Sequence, residues 1–232
     1  MHPYIYGGGK LGWAVKQLLE ERKIYHTADF VGSWHANEKT AEPDVVIYCG
    51  KGGESFTCAL KYCERYNLPF INASTDLGDL KPKEPHCLFI DAPNASLPMV
   101  AFMQAFTGFA QTLLRQKMKL SIIESHQATK KSVSGTAKSI VQKLEISEEI
   151  IKFERDGERQ LILGVPQEYL DSHAYHFFTF VGNGVEIEVK TKIHGRRTYA
   201  EGLLAIASLA LSLKDSSGHK VISATSLLSS YC

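Results

Sequence analysis

A histidine, a lysine and a hydroxyl-rich turn follow one another between Glu124 and Thr136. The segment reads Glu-Ser-His-Gln-Ala-Thr-Lys-Lys-Ser-Val-Ser-Gly-Thr, with His126 four residues before Lys130. An imidazole can donate a proton near neutral pH, and an ammonium group beside it attracts anions. The segment therefore predicts proton-transfer chemistry on an acidic small molecule, with His126 and Lys130 as the candidate catalytic residues.

The end of this segment predicts an anion-binding turn. Ser134-Gly135-Thr136 precedes an apolar stretch, Ala137 to Leu144, that is expected to be helical. Hydroxyl groups and the first amides of a helix can hold a carboxylate, so these three residues are candidate substrate ligands. The alternative is a plain helix cap, and a histidine between a strand and a loop can likewise be structural.

A glycine-rich loop near the N-terminus predicts a dinucleotide site. It follows a strand candidate, Pro3 to Tyr6, and precedes a helical pattern from Leu11 to Arg22. Its spacing fits G-x-G-x-x-G, in which glycines allow a tight turn and let a pyrophosphate approach the helix start. The loop residues expected to bind the cofactor are Gly7, Gly8, Gly9, Lys10, Leu11 and Gly12. The alternative is a glycine-rich turn without a ligand.

Two residues give opposite indications about the cofactor. Asp29 ends a second strand candidate, about Ile24 to Ala28, and lies seventeen residues after Gly12. An acidic residue near that offset binds the ribose hydroxyls of NAD. Lys10 could instead pair with the 2′-phosphate of NADP. The sequence thus predicts NADH or NADPH, with NADH slightly favoured, although Asp29 could also be an exposed strand-end acid.

Strands and helices alternate along the first half of the chain. Strands are predicted at Asp44 to Cys49, Pro69 to Asn72 and Leu88 to Asp91, with a helix at Glu54 to Tyr66, a loop at Val31 to Pro43 and a long helix at Leu97 to Gln116. The carboxyl ends of parallel strands meet at one sheet edge, where ligands bind. Cofactor contacts are therefore also expected at Cys49, Gly50, Ser74, Thr75, Ala92, Pro93 and Asn94.

The second half changes to the two-residue alternation of a sheet with one covered face. Strands are predicted at Leu120 to Ser125, His176 to Val181 and Val185 to Ile193, the last two joined by a Gly182-Asn183-Gly184 hairpin turn, with a helix at Tyr199 to Lys214. The predicted fold class is α/β, with a Rossmann-like parallel-sheet nucleotide domain and a smaller α+β domain for substrate binding and oligomerisation. The nucleotide domain is expected at residues 1–97 and rejoined by 198–232, and the second domain at 98–197.

Composition excludes several classes of partner and site. The 232 residues carry a net charge of +1, so neither a nucleic acid nor a membrane partner is predicted. The longest apolar run, Leu203 to Leu213, is too short to span a bilayer. No His, Cys, Asp and Glu grouping has metal-site spacing, since His173 and His176 lack partners nearby, so no metal is predicted. Five cysteines without C-x-x-C and an N-terminus without a secretory pattern predict a cytoplasmic protein.

Four segments of the chain, in order, resemble those of the dihydrodipicolinate reductase family. They are the glycine loop Gly8 to Gly12, the stretch Ala92-Pro93-Asn94-Ala95-Ser96, the segment Glu124 to Ala137 and the region His176 to Gly202. The resemblance implies reduction of dihydrodipicolinate, a cyclic unsaturated dicarboxylate, to tetrahydrodipicolinate with hydride from NADH or NADPH. That product leads to diaminopimelate and lysine. The resemblance also implies a homotetramer built through the sheet of the second domain.

The resemblance assigns roles by position. His126 matches the proton donor of the family and Lys130 its neighbouring catalytic lysine, while Ser134 to Thr136 match the residues that hold a substrate carboxylate. His176 matches a histidine near the substrate pocket, although it could also be an ordinary strand residue. Two basic positions are matched as carboxylate or intersubunit contacts, namely Lys192 and Arg196.

The chain also departs from the family pattern. Gln127 stands where the family has a second histidine, and Ser132-Val133 makes the approach to the anion turn one residue shorter. The strand ends Tyr48-Cys49 and Asn72 to Thr75 differ as well. Two alternatives therefore stay open: another nicotinamide-dependent dehydrogenase acting on an imine or keto acid, and a nucleotide-binding regulator without catalysis.

Overall fold

A parallel sheet and a mixed sheet, each with its own hydrophobic core, organise the chain. The computed structural model describes residues 1–30, 43–75, 77–217 and 220–229. The chain divides into unit 1, residues 1–100 and 196–232, and unit 2, residues 101–195. The expected loop at Val31 to Pro43 lies outside the described residues except for Pro43.

The strands formed by the described residues are β1 (Pro3–Tyr6), β2 (Thr27–Asp29), β3 (Val45–Tyr48), β4 (Phe70–Asn72), β5 (Leu88–Asp91), β6 (Lys119–His126), β7 (Ile151–Glu154), β8 (His173–Gly182), β9 (Val185–His194) and β10 (Lys220–Ser223). The helices are α1 (Lys10–Glu21), α2 (Glu54–Tyr66), α3 (Leu97–Arg115), α4 (Gly135–Lys143), α5 (Gly157–Ile162), α6 (Arg197–Ser217) and α7 (Ala224–Ser229). Short 3-10 turns lie at Gly78–Leu80, Glu148–Ile150 and Gln167–Tyr169.

Unit 1 is built on a parallel sheet with the strand order β10-β5-β4-β3-β1-β2. Successive residues of a strand point to opposite faces, which separates two cores. Ile5 and Ile47 pack with side chains of α1 and α6 on one face. On the other face, Tyr48 and Phe70 pack with Phe56 of α2. Burial on both faces explains why the inner strands β1, β3, β4 and β5 are almost wholly apolar.

Unit 2 is built on a mixed sheet with the order β7-β6-β8-β9. β6 runs parallel to β7 and antiparallel to β8, which forms a hairpin with β9. Asn183 and Gly184 both have positive φ, as a two-residue hairpin turn of type I′ requires. Side chains from β6 and β8, such as Ile122 and Phe178, pack against Phe106 of α3 and against α4.

The predicted fold class is confirmed, because the chain forms a Rossmann-like parallel sheet and a second mixed unit. Four short elements were not predicted: β7, α5, β10 and α7. Each has four or six residues and mixes polar with apolar side chains, so none shows the continuous apolar run that marks the equally short β1, β3 and β5. By length and composition α3 could cross a bilayer. It also buries Met103, Phe106 and Ala110 in the core of unit 2, as a core helix does.

Candidate active site

The catalytic candidate His126 is the last residue of β6 and follows Glu124 by two positions, so both side chains project from the same face of the strand. Nδ1 of His126 contacts Oε2 of Glu124. Nη2 of Arg155 donates a 2.6 Å hydrogen bond to Oε1 of Glu124, which is fully buried. An imidazole, a carboxylate and a guanidinium thus form a connected row inside unit 2.

Burial and neighbouring charges determine the protonation states of Glu124 and His126. Burial alone would raise the pKa of Glu124, but the contacts with His126 and Arg155 outweigh burial and hold that pKa below its ordinary value. Burial lowers the pKa of His126, and Glu124 opposes this decrease. The positive charges of Lys130 and Arg155 add to the decrease. Glu124 is therefore a carboxylate at neutral pH, and the protonated form of His126 depends on it.

The contact with Glu124 also decides which nitrogen of a neutral His126 carries the hydrogen. An ionised carboxylate oxygen can only accept a hydrogen, so the hydrogen is assigned to Nδ1. Nε2 is then the nitrogen that can exchange a proton with a substrate. When both nitrogens are protonated, the ring can act as a general acid.

The register of the second sheet places His176 opposite Glu124 on one side and opposite Thr191 on the other. Nε2 of His176 lies 2.9 Å from Oγ of Ser134, and Nδ1 lies 3.2 Å from Oγ1 of Thr191. Ser134 also accepts a 3.1 Å hydrogen bond from the amide of Ala137. Burial lowers the pKa of His176 to about 3, so its ring is neutral at pH 7.

These contacts show that Ser134 is the N-cap of α4, as the simpler of the two sequence interpretations expects. α4 begins two residues earlier than predicted, so that Gly135 and Thr136 form its first turn. Amide groups in a first turn have no carbonyl partner within the helix and can hold an anion. The substrate role of Ser134, Gly135 and Thr136 stays a prediction.

Lys130 lies in the loop between β6 and α4, with Nζ 3.4 Å from Oγ of Ser132. Arg155 holds the backbone of this loop in place, because its Nε donates a 2.8 Å hydrogen bond to the carbonyl of Lys130. Its Nη2 donates a 3.3 Å hydrogen bond to the carbonyl of Ser132. The ammonium group acts electrostatically on His126. Its catalytic role, like that of His126, stays a prediction.

Several residues that hold the site were not identified from the sequence. Gln160, which is buried, donates a 2.7 Å hydrogen bond to the carbonyl of His126. Nε2 of His173 lies 2.8 Å from Oγ of Ser125. Arg155 and Gln160 belong to the unpredicted segment of β7 and α5, which contains no motif. Thr191 was recognised only as part of a strand pattern, because its neighbours across the sheet depend on register.

The sequence predicted no metal, yet the donor atoms of Glu124, His126 and His176 all lie within 4.8 Å of one another. Residue spacing could not show this grouping, because its members come from two strands. The carboxylate is already neutralised by the guanidinium of Arg155. A divalent cation here would leave uncompensated buried positive charge, so the group suits proton transfer better than metal binding. The absence of a metal stays a prediction.

In unit 1 the glycine loop has the shape that a dinucleotide requires. Gly7 has a φ of 111°, and a Cβ there would lie 2.6 Å from the backbone of Cys49 and Gly50. A Cβ on Gly12 would lie 1.9 Å from the carbonyl oxygen of Gly7. Gly9 caps α1 without a side chain, which leaves the helix start accessible to a phosphate. The loop therefore fits the predicted cofactor on its own geometry.

The other cofactor candidates of unit 1 lie along one edge of the parallel sheet. The amides of Cys49, Ala73 and Ala92 donate to the carbonyls that end the neighbouring strands, at 2.7, 2.8 and 2.7 Å. Gly50, Ser74, Thr75, Pro93 and Asn94 follow at the same strand ends. The carbonyl of Asp29 accepts a 3.0 Å hydrogen bond from the amide of Gly7. Lys10 and Leu11 start α1. Cofactor contacts at these residues stay predictions.

Of the two basic positions, Lys192 is not part of the His126 group. Thr191 faces His176, so the adjacent Lys192 projects from the opposite face of the sheet. Nζ of Lys192 lies 5.2 Å from the ring centroid of Tyr175. Arg196 begins the C-terminal part of unit 1. Their proposed contacts stay predictions.

Comparison with known proteins identifies a matching family. Residues 99–227 match the family model for the C-terminus of dihydrodipicolinate reductase. The probable 4-hydroxy-tetrahydrodipicolinate reductase 1, chloroplastic, of Oryza sativa subsp. japonica is 35% identical over 171 residues, which are 68% of this chain and 49% of that protein. The chloroplastic 4-hydroxy-tetrahydrodipicolinate reductase 1 of Arabidopsis thaliana is 30% identical over 166 residues, 65% of this chain and 48% of that protein. The chain thus spans about half the length of these curated relatives.

A solved structure supports the fold. Dipicolinate-bound dihydrodipicolinate reductase from Paenisporosarcina sp. TG-14 superposes with a TM-score of 0.63 over 96% of this chain and 97% of that one, at 15% identity. A myo-inositol-1-phosphate synthase-related protein from Thermotoga maritima MSB8 gives a TM-score of 0.50 at 10% identity, over 95% of this chain and 89% of that one. At these identities the likeness concerns the fold.

The prediction of a cytoplasmic protein is wrong. The four curated relatives, two from rice and two from Arabidopsis thaliana, are all chloroplastic proteins. Unpaired thiols argue against an oxidising compartment, but they do not distinguish one reducing compartment from another. Cysteine content therefore could not decide between the cytoplasm and a plastid.

Proposed function

The chain belongs to the dihydrodipicolinate reductase family, and on that premise we propose that it reduces dihydrodipicolinate to tetrahydrodipicolinate with a nicotinamide cofactor. The observation that carries the proposal is the contact between Nδ1 of His126 and the buried carboxylate of Glu124, which assigns proton donation to Nε2. A proton donor of this kind is what reduction of an unsaturated ring needs besides hydride.

A reduced nicotinamide bound at the glycine loop would supply the hydride, with Gly7, Gly9 and Gly12 holding its pyrophosphate and the strand ends of unit 1 holding the rest. In unit 2, protonated His126 gives up the proton on Nε2 to the reduced ring and keeps the hydrogen on Nδ1 toward Glu124. The positive charge of Lys130 balances the carboxylates of the substrate.

Ser134 can cap α4 and still bind a carboxylate if His176 adopts one tautomer. When the hydroxyl of Thr191 donates to Nδ1, Nε2 of His176 carries the hydrogen and donates to Oγ of Ser134. The oxygen of Ser134 then accepts from His176 and from the amide of Ala137, and its own hydrogen is available to a substrate carboxylate. Neutral His176, which burial favours, is required for this arrangement.

The same proposal covers the roles of the two units, the oligomeric state, the nicotinamide cofactor and the compartment. Unit 1 would be the dinucleotide domain and unit 2 the substrate and oligomerisation domain of a homotetramer. Asp29 supports NADH because its backbone lies at the glycine loop, and Lys10 supports NADPH because it is exposed at the start of α1. The chloroplastic relatives support a place in a plastid.

The test is turnover by the purified protein, followed through the absorbance of NADH or NADPH after addition of freshly generated dihydrodipicolinate. The substitution H126A should lower kcat by about 10² to 10⁴, the usual contribution of a general acid. H86Q, which removes an exposed imidazole from unit 1, is the matched control and should keep the wild-type rate.

An unchanged rate in H126A would remove His126 from the mechanism. Cofactor binding without turnover of dihydrodipicolinate, but with turnover of another cyclic imine or a keto acid, would contradict the proposed substrate. Light scattering checks the homotetramer.

A further inference from the structure

We propose that Glu124 and Arg155 position His126, with Glu124 holding the imidazole for proton donation and Arg155 holding both Glu124 and the loop that carries Lys130. The inference deepens the proposed function and rests on it for its catalytic meaning. Neither residue is required to touch the substrate.

The two oxygens of Glu124 have different partners, as a positioning carboxylate requires. Oε2 contacts Nδ1 of His126, while Oε1 accepts the 2.6 Å hydrogen bond from Nη2 of Arg155. Glu124 is 0% exposed, and a buried carboxylate is stable only when it is paired. Its pairing with the guanidinium fixes the plane of the carboxylate and hence the direction in which Nε2 of His126 points.

Arg155 connects the strand to the following loop through several donors. Nη1 donates to the carbonyls of Glu154 at 2.8 Å and of Glu124 at 3.5 Å. Nε and Nη2 donate to the carbonyls of Lys130 at 2.8 Å and Ser132 at 3.3 Å. A guanidinium stays charged at every relevant pH and presents its donors in a rigid fork. The backbone of Lys130 is thereby held in a fixed relation to Glu124.

The charges around His126 make Glu124 necessary for its protonated form. Within the part of the chain that the structure describes, the groups that act on His126 are Glu124 on β6, Lys130 in the loop, Arg155 after β7, and His173 and His176 on β8. Burial lowers the pKa of both β8 histidines. Without Glu124, an imidazolium at His126 would therefore face two cations and no anion among these groups.

The substitution E124Q tests this role, because glutamine keeps the size of the side chain and removes its charge. We expect kcat to fall by about 10²-fold. Loss of a group that orients a metal-bound histidine costs ~10- to 100-fold, and loss of the carboxylate that orients a catalytic histidine costs up to ~10⁴-fold. Activity needs protonated His126, which exists below its pKa. Removal of the negative charge lowers that pKa, so the alkaline limb of the pH profile should move to lower pH.

Two further variants complete the design. E124D keeps the charge but withdraws it by one methylene, so its kcat and pH profile should lie between those of the wild type and E124Q. E149Q is the matched control, because Glu149 is an exposed carboxylate in the 3-10 turn Glu148–Ile150 of the same unit and takes no part in the contacts described for His126 and Arg155. E149Q should keep the wild-type pH profile.

A second measurement does not need turnover. The titration of His126, followed by NMR of its imidazole nitrogens in the full chain, should move to lower pH in E124Q and by a smaller amount in E124D. Wild-type kcat, pH profile and His126 titration in both variants would overturn the inference. If E124Q does not fold, wild-type behaviour of E124D alone overturns it. An inactive wild type whose His126 titration shifts in E124Q would refute the proposed function and support the positioning role.

Discussion

Lowering the pH from 7 to 5 is expected to destabilise unit 2 through His176. Its ring is 1% exposed and is placed between Ser134 and Thr191. Burial, together with the charge of His126, lowers the pKa of His176 to about 3. An unfolded histidine has a pKa of about 6.5. Between these two values the unfolded chain binds more protons than the folded one, so the free energy of unfolding decreases as the pH falls.

The size of this effect follows from linkage. Each unit of pKa difference corresponds to about 1.4 kcal/mol, so protonation of the unfolded His176 removes roughly 2 kcal/mol by pH 5 and approaches roughly 5 kcal/mol near pH 3. His126 and His173, whose pKa values burial also lowers, act in the same direction. The contribution of His176 alone is obtained by comparison with a variant that lacks its imidazole.

H176Q is that variant, because a glutamine amide can still donate to Ser134 but does not titrate. The free energy of unfolding is measured for the wild type, H176Q and the exposed-histidine control H86Q at pH 7, 6 and 5. Amide hydrogen exchange in β8 is the suitable probe, since both tryptophans come from the first hundred residues and would report on unit 1. Between pH 7 and 5 the wild type and H86Q should lose about 2 kcal/mol more than H176Q.

The absolute stability of H176Q at pH 7 does not enter this comparison, because only the change with pH is compared. Parallel pH dependences of the wild type and H176Q would refute the reasoning, since they would mean that His176 titrates alike in the folded and unfolded chain.

Two other substitutions test the remaining parts of the site. T191V removes the hydroxyl that sets the tautomer of His176, so the hydroxyl of Ser134 is no longer reserved for the substrate. KM for the dicarboxylate should therefore rise by up to about tenfold with kcat unchanged, which corresponds to the loss of one hydrogen bond. Steady-state kinetics measure kcat and KM separately, and an unaltered KM would contradict the tautomer assignment. G12A places a Cβ 1.9 Å from the carbonyl oxygen of Gly7, so NADH binding should be lost in a fluorescence titration. The control is G108A in α3, where a Cβ meets open space, and this variant should still bind NADH.

Much of the fold could be predicted because its determinants are local. The bounds of β1, α2 and β5 agree with the structure, and the Asn183-Gly184 turn forms the predicted hairpin. Apolar runs, periodic patterns and turn residues act through neighbours along the chain. β1 and β5 have only four residues each but are nearly continuous apolar runs, whereas β7, α5 and β10 mix polar with apolar residues and depend on pairing and packing, so their own sequence did not predict them.

The sequence by itself determined the short-range chemistry of this protein: glycines that must turn before α1, and His126, Lys130 and Ser134 within one segment. Those relations follow from spacing along the backbone. Only the tertiary structure decided what surrounds His126, because Arg155, directly after the adjacent strand β7, reaches Glu124, and because strand register brings together side chains that lie fifty or more residues apart in sequence. The proton chemistry of an imidazole depends on those buried neighbours and their charges, and neither can be read from the order of residues.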